Sequence, residues 1–508
     1  MSNFNRSKKS IWNAISATVL TLVTGFFNIV VVGLIISRYG SDFNGLNSTA
    51  IQIVNLLLVI EGGFSLAASV ALFKPLSDKN YNIINGILTS AKITYEKIGI
   101  TFLFVGLIVS SGYSLILKSS LPLYIIMPIF YMVIFSTTFD LLFAAKCRVL
   151  FQAEQHEYIL NLIKMLSVLV SQIIIILIIY NNGHMLSLQL ISMVCAILNS
   201  LCVALLCRQK YTFANYYFTP DTKAIKGTKD LIVQQITGLL YNTIPILYIS
   251  STSGTIYTSV YVVYNNIFLM LKNICYSFTS APRMAFGKLI VEREKSYVFK
   301  IFIQYEFIVI NIILGLLSTA FVLIMPFIRI YTAAVHDINY ENWHIALLLI
   351  AITFFEIIHV PSGNLINISG NFKTSKKIQL VAFTVLLVCM VIGSILFGFY
   401  GILVAVLLTA VLLAIMETIF THIYYFGERI TVFIRIILPS LLSMVVACYF
   451  EYQLLPVIDS YLKFSLAGVI CLLINVSVLF GINFLFNRSI LISIVNRLTI
   501  IFKTDAEH

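Results

Sequence analysis

The chain has 508 residues, 59% of them hydrophobic and 11% charged, with a formal net charge of +12. Soluble domains run at about 45–50% apolar and about 25% charged, so a soluble fold could not hide this much apolar surface. Unbroken apolar stretches such as 173–180 and 402–413 exclude the alternating pattern of a barrel, and the Lys and Arg punctuate apolar runs instead of forming one solvated face, which excludes nucleic acid as a partner.

Helices are the remaining way to cross a bilayer, and each needs roughly 20 mostly apolar residues. On that ruler the sequence predicts about fourteen spans, at 11–37, 43–72, 98–117, 121–145, 159–180, 186–207, 231–252, 255–281, 299–327, 343–367, 378–399, 401–426, 432–450 and 463–486. Alternate connections carry the basic residues, among them Lys74, Lys92, Lys146, Arg148, Arg208, Lys210, Arg283, Arg293, Lys373, Lys377, Arg429 and Arg435. The others hold only Arg38, Lys118, Arg329 and Lys463. By the positive-inside rule the first set faces the cytosol, and an even number of spans puts both termini there, the first behind Arg6, Lys8 and Lys9. The first apolar run lacks a small-residue cleavage site and is read as a retained helix. The eight cysteines fall almost all inside apolar runs without C-x-x-C spacing, and are read as packing residues. External connections are short, the longest about fifteen residues, leaving no room for an external catalytic domain. The segments 77–94 and 212–230 mix apolar with basic residues and are expected to form short helices along the membrane surface.

A weak internal echo suggests duplication. Placing Phe43 on Tyr257 puts Leu46 on Val260, Ile53 on Ile267, Ala71 on Ala285 and Lys74 on Lys288, with Gly40 and Gly254 in the preceding loops. The expected architecture is therefore an all-α polytopic membrane protein of two pseudo-symmetric six-helix lobes, 1–225 and 226–426, followed by two C-terminal helices and a tail at 427–508.

An ionisable side chain at membrane depth is costly unless it faces a cavity or a partner, so each one is a candidate. Glu61, Lys272, Glu356, His359 and Glu417 lie well inside predicted spans, while Asp140, Lys164, Glu306 and His422 sit nearer cytosolic ends, where an ion pair or a reach to water accounts for them. Glu61 precedes Gly62 and Gly63, which permit close helix approach or local unwinding. The repeat places Lys272 opposite Leu58, one helical turn from the level of Glu61. One reading has Glu61 and Lys272 pairing in one state and parting in another, Lys272 then meeting an anionic substrate; the other has two unrelated cavity charges. Glu356 and His359 share a helix face just before Pro361 and Gly363, as a proton relay or as a hydrogen bond that holds the helix. A single Glu-x-x-His falls short of a di-iron site, so no metal is expected. No G-x-x-x-x-G-K-[ST] motif is present, so no nucleotide is expected either; an H+ or Na+ gradient would drive the protein, with no cofactor. Pro128, Pro245, Pro361 and Pro439 are candidate hinges.

Several loose motifs then stand in a telling order: Ser37-Arg38-Tyr39-Gly40, Asn44-Gly45-Leu46, Glu61-Gly62-Gly63, Leu72-Phe73-Lys74-Pro75-Leu76, Tyr257-Thr258-Ser259-Val260-Tyr261 and Phe286-Gly287. Over nearly its whole length the chain resembles the Wzx-type polysaccharide flippases of the multidrug/oligosaccharidyl-lipid/polysaccharide (MOP) exporter superfamily. The resemblance implies a MATE/MurJ-like fold in the cytoplasmic (inner) membrane of a bacterium. It implies a transporter, not an enzyme, that moves an undecaprenyl-diphosphate-linked oligosaccharide across the bilayer for surface polysaccharide such as lipopolysaccharide O-antigen or capsule. Partners would be that lipid-linked cargo, membrane lipid, and a polysaccharide polymerase with its chain-length proteins. A diphosphate needs cations, for which Lys272 and, near span ends, Arg38, Lys74, Lys146, Arg148 and Arg283 are candidates; Glu61, Glu356, His359 and Glu417 are the ion-coupling candidates. Acids outnumber bases at depth, a departure from the cationic lumen the family implies. The alternative is a MATE-type multidrug or cation antiporter, which Glu61 would serve equally; a polyprenyl-dependent glycosyltransferase or a polymerase fits less well, since those usually carry a large external loop.

Overall fold

The computed structural model describes residues 2–61, 63–221, 229–455, 457–494 and 496. Gly62 and the side chains of Arg6, Lys8 and Arg283 lie outside the described residues. Among those described there is no strand. The helices run α1 Ser2–Leu57, α2 Phe64–Ser77, α3 Tyr81–Ile116, α4 Leu123–Phe143, α5 Ala145–Ala153, α6 Glu157–Tyr180, α7 Met185–Lys210, α8 Lys229–Thr252, α9 Thr255–Glu292, α10 Lys295–Tyr331, α11 Trp343–Ile358, α12 Val360–Ile368, α13 Phe372–Ile419, α14 Thr431–Leu454 and α15 Tyr461–Phe486.

Ten segments are long and apolar enough to cross a membrane. Two of them hold two helices each, joined at a kink. In α1 the break is at Gly40 (φ 86°, ψ 169°) and in α13 at Gly398 (φ 57°, ψ −132°), backbone conformations that only glycine adopts readily. α8 and α9, of 24 and 38 residues, are not among those ten and cover the predicted spans 231–252 and 255–281. Large apolar side chains cover the outside, including Ile108, Ile395 and Leu485, each more than two-thirds exposed. Such a surface is a liability in water and an ordinary boundary in hydrocarbon.

The bends do not fall where the prolines predict. Pro128, Pro245 and Pro439 sit inside continuous helices, and only Pro361 follows a break, in the first turn of α12. Neither do 77–94 and the described part of 212–230 form surface helices. The first runs into α3 from Tyr81, capped by the Asn80 side chain accepting from the Ile83 N–H, and buries Ile84, Ile87, Leu88 and Ala91. The second is irregular from Thr212 to Asp221 and is strapped onto α3: Asn215 N–H donates to Asn85 Oδ1 (2.9 Å), Phe218 N–H to Thr89 Oγ1 (3.0 Å) and Asp221 N–H to the Gly86 carbonyl (3.1 Å). Backbone pairing with a neighbouring helix replaces helix formation, and 222–228 lie outside the described residues.

The chain divides into two compact units between Val262 and Val263, inside α9. In the first, α1 packs on α6 and α8, α3 on α4, and α4 on α7. Phe43, Leu46, Phe102, Phe130 and Phe151 are among its core. A stripe of small residues lets α3 and α4 approach closely: a Cβ at Gly99 would stand 2.8 Å from Leu142 and one at Gly106 2.9 Å from Ile134. In the second, α10 is the hub, packing on α11, α14 and α15, while α11 packs on α13.

Candidate functional site

In the first unit the helix stops where the Glu-Gly-Gly run predicts. A 3-10 turn occupies Leu58–Glu61, and α2 restarts after Gly63, which is left-handed (φ 75°). Glu61 Oε1 accepts a hydrogen bond from the hydroxyl of the buried Tyr95 (3.0 Å). Beside the break lies a cavity of about 540 Å³, lined by Glu61, Ser65, Ser69, Phe73, Gln152, Glu157 and Gln235 together with apolar groups. Gln152 Oε1 accepts from Ser65 (3.3 Å) and Ser69 (3.0 Å). Two carboxylates and no Lys or Arg line this space among the described residues, so it suits hydroxyl, amide or cationic groups better than a diphosphate.

Of the expected cations, Arg148 is held by Asp140 through two hydrogen bonds (3.0 and 2.5 Å), and Ser200 also donates to Asp140 (2.9 Å). Lys146 is half-buried, whereas Arg38, Lys74 and Lys164 are exposed. The Arg283 side chain lies outside the described residues.

In the second unit the buried charges are paired across helices. Lys272 Nζ of α9 lies 2.9 Å from Glu356 Oε2 of α11, both side chains nearly shielded from solvent. The helix ends two residues beyond, and His359, at the α11–α12 junction, puts Nδ1 2.8 Å from Glu417 Oε2 of α13. The Nδ1 of His359 is thus taken by an acid 58 positions away. Gly363 makes room for the carboxylate, since a Cβ there would lie 2.5 Å from Glu417 Oε2. A third pair, Glu306 with His422, is wholly buried, His422 Nε2 lying 3.0 and 3.2 Å from the two carboxylate oxygens. Each of Glu61 and Lys272, expected to pair with each other in one state, has a close partner within its own unit, Tyr95 and Glu356.

Two polar clusters escaped the sequence reading. Asp42, two residues after the kink in α1, is buried and accepts from Ser119 Oγ (2.7 Å), from Ser120 N–H (2.7 Å) and Oγ (2.5 Å), and from the Thr255 hydroxyl. Two residues on, Asn44 Nδ2 donates to Ser259 Oγ (2.7 Å). The repeat matches Asn44 to Thr258 and Gly45 to Ser259, so the corresponding helix starts meet at corresponding positions. The other cluster is a polar seam joining α10, α14 and α15. Glu451, fully buried, accepts from Asn475 Nδ2 (2.7 Å), and Asn475 Oδ1 accepts from Ser318. Farther along, Asn311 Oδ1 accepts from Ser440 (3.2 Å) and Asn483 (2.8 Å), Asn487 donates to Asn483 (2.9 Å), and Gln304 donates to Ser493 (2.6 Å). Asparagines at 475 and 483 in an apolar helix, with a third at its end at 487, were the available signal, since such groups in hydrocarbon need partners.

No family model and no curated protein matches the sequence. Solved structures of membrane transporters and of a flippase share its fold. The chain is similar to lipid II flippase MurJ in an inward closed conformation, with a TM-score of 0.68 at 14% identity over 91% of this chain and 98% of that one. It is also similar to an inward-facing MATE multidrug resistance transporter (TM-score 0.61, 12% identity, 80% of this chain and 96% of that one) and to a MOP superfamily transporter from Pyrococcus furiosus (TM-score 0.55, 12% identity, 83% and 97%). The fold is thus one used by transporters and flippases, and the chain is a multi-pass membrane protein.

Proposed function

We propose that this protein is a Wzx-type flippase that carries an undecaprenyl-diphosphate-linked oligosaccharide from the inner to the outer leaflet of a bacterial cytoplasmic membrane, its basic ends and both termini in the cytosol. The observation that carries the reading is the extent of the likeness to MurJ. That structure aligns with 91% of the chain, against 80–83% for the MATE and Pyrococcus structures, a difference of the size of α14 and α15. A lipid-linked cargo keeps a polyprenyl tail in hydrocarbon, and an added helix pair enlarges the surface that can hold it. Two six-helix lobes, 1–225 and 226–426, would rock in alternating access while 427–508 supplies that pair. The sugar hydroxyls suit the cavity at Glu61, whereas the diphosphate would fall to Lys272, Arg148 and the basic residues Arg38, Lys74, Lys146 and Arg283 near span ends. An H+ or Na+ gradient acting at Glu61, Glu356, His359 or Glu417 supplies the energy.

The acidic lining of the Glu61 cavity favours a second reading, a MATE-type antiporter for organic cations. Deletion in the source organism separates the two: loss of surface polysaccharide with unchanged drug sensitivity supports the flippase, and the reverse result supports the antiporter. In proteoliposomes, the flippase reading fails if a fluorescent undecaprenyl-diphosphate oligosaccharide does not cross faster than in empty vesicles.

A further inference from the structure

The cavity beside the break at Glu61 is built wholly within the first unit, from the Leu58–Glu61 turn, α2, α5 and the starts of α6 and α8. Its two carboxylates are poorly matched inside the protein. Glu61 has the Tyr95 hydroxyl as its hydrogen-bond donor (3.0 Å), and Glu157, the first residue of α6, has neither a hydrogen bond nor an ion pair among the described residues. Arg148 interacts with Glu61 electrostatically, but its guanidinium is fastened to Asp140 by two hydrogen bonds and does not line the space. The lining therefore carries net negative charge. Ser65 and Ser69 hold the Gln152 Oε1 (3.3 and 3.0 Å), which leaves the Nε2 of that amide to donate, and the exposed Gln235 adds a second amide from α8. The half-exposed Phe73, with Ile236 and Leu239, gives the cavity an apolar wall.

We infer that this cavity is a subsite for a sugar bearing a free, protonated amine, so that the cargo's repeat unit contains an amino sugar. The inference rests on the flippase reading for the cargo that brings the sugar in. An ionised carboxylate only accepts hydrogen bonds, and two of them in one cavity call for donors on whatever enters. An ammonium group brings three donors and the opposite charge, so its bonds to Glu61 and Glu157 are charge-assisted. A neutral hexose brings donors without the charge. A uronic acid or the diphosphate itself meets like charge, which weakens binding. A bare organic cation satisfies the acids but leaves the Gln152 and Gln235 amides without acceptors. An amino sugar answers all of these at once: its amine meets the acids, its hydroxyl and ring oxygens meet the amides, and its C–H faces lie against Phe73 and Leu239. The volume of about 540 Å³ is that of a small-molecule pocket. Glu157 opens α6 and Gln235 lies near the start of α8, which puts the subsite toward the basic end of the unit, the side from which a cytosolic cargo is loaded.

The test is calorimetric titration of the full chain in lipid nanodiscs at about pH 6, where an amine is charged and a carboxylate is ionised. The probes are the β-1,4-linked disaccharides of glucosamine, N-acetylglucosamine and glucose, then digalacturonate, and tetraethylammonium as a cation without hydroxyls. The glucosamine disaccharide is expected to bind about tenfold more tightly than the acetylated and neutral ones, and digalacturonate not to bind. Glu61→Gln and Glu157→Gln each weaken the amine's binding by about tenfold. Gln235→Glu, which adds a third carboxylate, tightens it, a gain that a variant which fails to fold cannot show. Equal binding of the amine, acetylated and neutral disaccharides, or amine binding that ignores all three substitutions, overturns the subsite. Tetraethylammonium binding as tightly as the amino sugar, with the same dependence on the two acids, overturns the sugar and supports the antiporter. Proteoliposomes keep the subsite and the flippase reading apart. Amine binding as expected, with no movement of an undecaprenyl-diphosphate-linked amino-sugar oligosaccharide, leaves the subsite standing and overturns the flippase; movement of that cargo with no preference for the amine in titration does the reverse.

Discussion

Gly45 lies so close to Thr255 that a Cβ on it would stand 1.8 Å from the Thr255 carbonyl oxygen. The two helix starts that the internal repeat matches are thus in backbone contact, with Asp42 gathering Ser119, Ser120 and Thr255 around the same spot. Gly45→Ala forces these backbones apart and is expected to cost about 1–3 kcal/mol, the range for overpacking. Asp42→Ala, which strips an acceptor from at least three donors, is expected to cost about 1.5–3 kcal/mol through its charge-assisted hydrogen bonds. Thermal unfolding in detergent checks both, and a Gly45→Ala variant as stable as the parent contradicts the close approach.

Lys272 and Glu356 form a buried pair whose partners cannot be removed singly without leaving a charge in hydrocarbon. Glu356→Gln or Lys272→Met alone is expected to destabilise the protein by about 3–5 kcal/mol, and the double replacement Lys272→Met with Glu356→Met to restore most of it. Double-mutant cycles on unfolding midpoints read the coupling. A Lys272→Glu, Glu356→Lys exchange that regains transport would assign the pair a structural role, whereas regained stability without transport would point to Lys272 as a contact for the cargo.

His156 precedes α6 and is half-buried, its Nδ1 3.0 Å from the Tyr211 hydroxyl. Burial, and then the positive charges of Lys9 and Lys210, push its pKa down to about 4. The unfolded chain therefore takes up the proton first. The stability of the neutral ring is complete above about pH 6.5 and is lost as pH falls toward 4. The unfolding midpoint of the parent is expected to drop relative to that of His156→Phe across that window, and parallel pH profiles for the two would remove His156 from the account.

Asn475 bridges Glu451, Ser318 and Thr319, and so ties α15 to both α14 and α10. Asn475→Leu leaves the Glu451 carboxyl without that amide and is expected to cost about 1–2 kcal/mol. Protection of the α14 and α15 amides from hydrogen exchange would fall while that of α3 and α4 stayed as it was. Equal loss in both regions would mean that the seam does not fasten the last two helices.

The spans were legible because hydropathy and alternating loop charge are properties of each segment by itself, and so was the break at Glu61, where two glycines follow one another. Partner choice was not. His359 and Glu356 share a helix face in sequence, yet His359 turns to Glu417 because the chain breaks at that residue and Gly363 admits a carboxylate from another helix. Asp42 drew no reading from the sequence, since nothing local announces that serines 77 and 78 positions away will close on it. Proline promised bends that glycine delivers at 40 and 398: hydrocarbon-bound helices tolerate a proline when packing holds them straight, whereas a left-handed residue must turn the chain.

The seam along α10, α14 and α15 also bears on how the protein is made. Residues 304, 311 and 318 of α10 enter the bilayer long before the helices that satisfy them are synthesised. Until α15 arrives, their amides and hydroxyls face lipid, lean on neighbours, or wait at the translocation channel. A chain cut short after residue 426 keeps twelve of the fourteen predicted spans but presents this unclosed row of polar groups to the membrane, a lesion that intramembrane quality control is suited to notice. The last two helices would then act as the seal that certifies the finished chain.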